Sequence, residues 1–175
     1  MLCIIIDQMN TASDDAALWE RIRSFEFDAP DASLTFSGRL ARENGWDLEF
    51  ALRAIEEYKR FMFLLCVAGH PCTPSDEVDQ VWHLHLVYTR SYWHDFGPNV
   101  LQREIHHGPT LGGEEEQGKF NDWYARTKTT YAERFRHEPP RELWPDSKTR
   151  FGRVNFRRVD VDANWVVPKP LRRTS

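Results

Sequence analysis

Residues 73–96, TPSDEVDQVWHLHLVYTRSYWHDF, set apolar side chains on nearly every side of a helix yet also carry Asp79, His83, His85 and His94. A segment built this way belongs inside a bundle, where its polar side chains must find partners. Thr73 can cap its start, Pro74 suits the first helical position, and Asp76 completes a capping-box pattern. Val78, Val81, Trp82, His85, Thr89, Tyr92 and Phe96 recur at three- and four-residue spacing. Gly97-Pro98 is expected to end the helix, because proline removes a donor and turns the preceding residue away from helical angles.

On such a helix Asp79 and His83, four apart, are neighbours on one face. His83 and His85 diverge by about 200° around the axis, so a straight helix cannot turn both toward one ion. His94 returns to the His83 face but roughly 16 Å further along, too far to share a site.

The remaining chain reads as more helix. Asp14 to Phe25 is amphipathic, Leu34 to Asn44 stops at Gly45, and Asp47 to Ala68 places Leu48, Ala51, Leu52, Ile55, Tyr58, Met62 and Leu65 on one stripe. The last of these should pair antiparallel with the 73–96 helix through the short turn at residues 69–72. It offers Arg53/Glu57 and Glu56/Arg60 as ion pairs four apart, with Glu56 and Glu57 expected at the surface. Glu114 to Phe135 opens on an acidic turn and buries Phe120, Trp123, Tyr124, Thr127, Tyr131 and Phe135. Leu143-Trp144-Pro145 looks like an anchor across the bundle. Residues 151–170 alternate enough to be extended. The expected fold is therefore all-α: one compact helical bundle over residues 12–149 around the helix at about 73–96, then a basic extended tail, 150–175.

A chain of 175 residues, 41% hydrophobic and with seven tryptophans, suits one domain with a dense aromatic core. Its longest apolar run, Phe61 to Ala68, is far short of a membrane span, and the N-terminal segment lacks the features of a signal peptide. Cys3, Cys66 and Cys72 form no disulfide or CxxC pattern. A cytoplasmic protein without a membrane partner is expected. The formal charge is -4, but residues 150–175 hold seven basic and two acidic residues, leaving the body at -9. The acidic body argues against a nucleic-acid partner, and the basic tail can contact the body or a partner protein. No glycine-rich phosphate loop or nucleophile elbow occurs, so neither a nucleotide cofactor nor nucleophilic catalysis is indicated.

The string Val78-Asp79-Gln80-Val81-Trp82-His83-Leu84-His85, followed by Tyr92, resembles the signature of the glycine-rich-domain-protein-like family, D-x-x-W-H-x-H and then a tyrosine. The resemblance takes in Glu56-Glu57-Tyr58, His106-His107 and the helix from Phe120 to Phe135, roughly residues 35–140. The chain lacks the glycine-rich segment that names the plant members, so roles tied to that segment do not transfer. The resemblance implies a family and no particular reaction.

The residues themselves allow a His/Asp metal site. Asp79 and His83 supply two ligands from one helix, and His106 or His107 can arrive from the following loop. His85 joins only if the helix is locally distorted, or it holds a second site. An all-nitrogen-and-oxygen set suits zinc or iron, and a metal-dependent enzyme is one reading. The plainer alternative is an interaction module in which Asp79 accepts from His83 and the histidines are structural. His70 and His137, beside proline turns, read as ordinary loop residues.

Overall fold

A computed structural model describes residues 12–108, 114–152, 159 and 162–167, with the backbone alone for residues 12 and 114–121. Its described residues form helices and no strand: α1 Ala12–Arg23, α2 Phe36–Asn44, α3 Leu48–Val67, α4 Asp76–Val87, a π-helix Ser91–Leu101, α5 Glu114–Phe135 and α6 Ser147–Gly152. The all-α expectation holds. No described helix is long and apolar enough to cross a membrane.

The element shared by most of the others is α3, which packs against α1, α2, α4 and α5. Asp47 caps it by accepting from the Phe50 amide at 2.7 Å, and Gly45, at φ 67°, ends α2 in the left-handed region that glycine enters without strain. Along α3, Ala51, Ala54, Ile55, Tyr58, Phe61, Met62 and Leu65 are buried, whereas Leu48 and Leu52, expected on the same stripe, are exposed in its first turns. Each large side chain among the buried residues contributes about 1.5–3 kcal/mol through burial. The small Ala51 and Ala54 let neighbouring helices approach.

The 73–96 segment is not one helix. Ser75, not Thr73, caps α4, accepting from the Val78 amide at 3.2 Å. Thr73 is diverted to α5, where its N–H donates to Thr127 Oγ1 at 3.0 Å. At the other end α4 stops at Val87 with Tyr88 at ψ 63°, and the chain resumes as the π-helix. Gly97-Pro98 sits inside that helix. Pro98 removes one N–H from the ladder without ending the helix, and at Gly97 a Cβ would approach the Tyr92 carbonyl to 3.3 Å. Gln102, at φ 56°, reverses the chain.

Glu57 is buried, against the expectation of a surface carboxylate. It accepts from Trp144 Nε1 at 2.9 Å, Tyr131 Oη at 3.2 Å and Arg60 at 2.8 Å, so α3, α5 and the Leu143-Trp144 anchor meet on one side chain. The pairs four apart are replaced by Lys59–Glu56 and Arg60–Glu57, three apart, while Arg53 reaches Glu142. Phe151 belongs to α6 rather than to an extended tail. Val154, Phe156 and Val161 of the expected extended stretch lie outside the described residues, as does the expected burial of Phe120.

Candidate functional site

The break after α4 lets distant residues meet. Trp82 and Tyr92 would lie about 15 Å apart along an unbroken helix. Here the Trp82 Nε1–H donates to Tyr92 Oη at 3.0 Å, and that hydroxyl donates to the Ile105 carbonyl at 2.6 Å. Both rings are buried, so each bond forms out of competition with water. The relay draws the chain after Gln102 back over α4. Two residues beyond Ile105, His107 packs edge-to-face with the Trp82 ring, with centroids 4.6 Å apart.

There His107 Nε2 lies 3.0 Å from Asp79 Oδ1, and His83 Nε2 lies 3.9 Å from Asp79 Oδ2. The two imidazoles are 4.6 Å apart between centroids. Each of the three residues offers a donor atom, and these atoms all lie within 4.8 Å of one another. The group can hold a metal ion. Asp79 and His107 are largely covered, each side chain 12% exposed, whereas His83 is 48% exposed and opens the cluster to solvent.

The other expected ligands stand elsewhere. His85 points to the opposite side of α4, as the 200° separation requires, into a shell of Phe25, Phe27, Phe36 and Phe96. Its Nδ1 bonds Tyr58 Oη at 3.0 Å and its Nε2 bonds Ser91 Oγ at 3.1 Å, so both nitrogens are used. Burial lowers its pKa to about 3 and keeps the ring neutral; burial likewise holds the Tyr58 phenol well above its ordinary range. His106 turns outward, against Trp93 and 3.5 Å from Glu104. Adjacent residues in an extended loop point to opposite sides, so one of His106 and His107 had to be excluded. His70 ties its turn to α5 through Thr130 Oγ1 at 2.8 Å. His94 and His137 are exposed.

Two groups position His107. Tyr92 stands out in the sequence as a helix-spaced residue and as the tyrosine of the signature, but nothing there shows the two partners of its hydroxyl, and the Ile105 carbonyl carries no sequence signal at all. The tryptophan followed by a tyrosine ten residues on was visible, but only a broken helix makes it a contact. No family model, curated protein or solved structure matches the chain.

Proposed function

We propose that Asp79, His83 and His107 bind one divalent metal ion, zinc or iron, and that the protein is a metal-dependent enzyme. The observation that carries this reading is the convergence of three donors from α4 and the 102–108 segment within 4.8 Å. Two imidazoles and a carboxylate leave coordination positions for water or substrate, as in catalytic rather than closed structural sites. An ion in such a site supplies Lewis acidity and an activated water. The chain's own part is to fix the donors: edge-to-face packing on Trp82 limits the rotation of His107, and exposed His83 keeps one side reachable. Asp79 and His83 are also positions of the signature that the chain resembles, a resemblance that by itself implies no reaction. The second signature histidine, His85, has a structural role.

The test is elemental analysis of protein purified without an affinity tag, beside His83→Ala and His107→Ala. Near-stoichiometric zinc or iron that falls in both variants is expected. A wild-type protein that carries none and takes up none on reconstitution overturns the reading.

A second reading rests on a different observation. Trp165, Val166 and Val167 are 98, 66 and 77% exposed, an apolar run that suits a non-catalytic interaction module for a protein partner. In that case the Asp79–His107 bond is only a clasp. Capture of a specific partner by the wild type and its loss in Trp165→Ser would favour it; equal capture by both sets it aside.

A further inference from the structure

The π-helix and the segment that follows it enclose a partly open cavity of about 310 Å³, lined among others by Tyr92, Trp93, Leu101, Arg103, Glu104 and Ile105. That volume is at the lower end of the roughly 300–1,000 Å³ usual for small-molecule sites. It arises from features already described. The wide turn contributes Tyr92 and Trp93 to the lining, and the stretch after the reversal at Gln102 contributes Arg103, Glu104 and Ile105.

Two aromatic rings and aliphatic Leu101 and Ile105 make this a space for a flat apolar group. Arg103 supplies a charge. Its guanidinium donates to the Cys66 carbonyl at 3.1 Å, a bond that leaves most of its N–H donors over. No carboxylate among the described residues lies within 4 Å of it, because the neighbouring Glu104 turns to His106. A half-buried guanidinium without a carboxylate partner, at the wall of an aromatic cavity, is a ready counter-charge for an anion that can bond two N–H groups together.

We propose that this cavity is a binding site for a small aromatic carboxylate, its ring between Trp93 and Ile105 and its carboxylate on Arg103. The inference is independent of the metal reading, since none of the three donors lines the cavity.

The experiment titrates the full chain with 1-naphthoate, using 1-naphthamide as the neutral counterpart. Calorimetry gives affinity, and the tryptophan Nε1–H signals in nuclear magnetic resonance give location. Saturable binding of the carboxylate, at least about tenfold tighter than the amide, is expected, with Trp93 shifted and Trp144 still. Arg103→Gln should lose about tenfold for the carboxylate and little for the amide. If that variant does not fold, the wild-type shifts decide: a response centred away from Trp93 overturns the proposal. So do equal binding of acid and amide, absence of saturable binding, and loss of binding when a chelator is added, which would put the carboxylate on an ion instead.

Discussion

His107 Nε2 stands 3.0 Å from a carboxylate oxygen of Asp79, a residue 28 positions earlier in the chain. One contact thus both satisfies a buried carboxylate and brings an imidazole beside His83. Asp79→Asn keeps the shape and removes the charge. Its metal affinity, read by competition with a chelating dye, should fall by more than the roughly 10–100-fold that loss of an outer-shell partner costs. An unchanged affinity would remove Asp79 from the ligand set.

Tyr92→Phe deletes the hydroxyl between Trp82 and Ile105 and keeps the ring. The buried Ile105 carbonyl then lacks its donor, at a cost of about 1–3 kcal/mol in urea unfolding. Because that carbonyl sits two residues before His107, metal affinity should also drop, by about tenfold. A variant that unfolds more easily yet binds metal as well as the wild type would confine Tyr92 to packing.

The pH dependence of stability carries the mark of His85. Its folded pKa, about 3, is below the value of about 6.5 expected in the unfolded chain, so unfolding takes up a proton between those values. The contribution is fully present above about pH 6.5 and is lost as pH falls toward 3. Between pH 6.5 and 5 it amounts to at most about 2 kcal/mol. Unfolding free energies of the wild type and His85→Asn at those two pH values check this: the variant should be weaker at pH 6.5 and should lose less on acidification.

Glu57 and Glu56 are adjacent and should behave differently. Glu57→Leu leaves Arg60, Tyr131 and Trp144 without their acceptor and should cost about 3–5 kcal/mol. Glu56→Ala touches a pair half exposed on the glutamate side and should cost less than about 1 kcal/mol. Thermal or urea unfolding of the two variants separates them.

What could be read beforehand divides along physical lines. The caps at Asp47 and Gly45 and the span of α5 are local signals, and they were legible. The break at Tyr88 was not. Tyr92, Phe96 and Val100 recur every four residues, a spacing that α-helical and π-helical turns accommodate about equally well. Proline at 98 reads as a stop unless the wider turn is known in advance. The pairing of Asp79 with His83 follows from four-residue spacing, and the exclusion of His85 from its angle around the axis. The choice of His107 over His106 depends on the Tyr92–Ile105 bond, a contact 13 residues apart that no local pattern encodes. Glu57 misled for a related reason: a carboxylate reads as surface until its donors, one of them 87 residues away, are known.

That last distance has a bearing on synthesis. Glu57 leaves the ribosome well before Trp144, by roughly 4–17 s at 5–20 residues per second. During that interval a nascent chain that has already collapsed around α3 holds a carboxylate still short of one donor. Completion of the bundle is therefore timed by the arrival of one indole, and chains released before residue 144 are the ones a protease should find open.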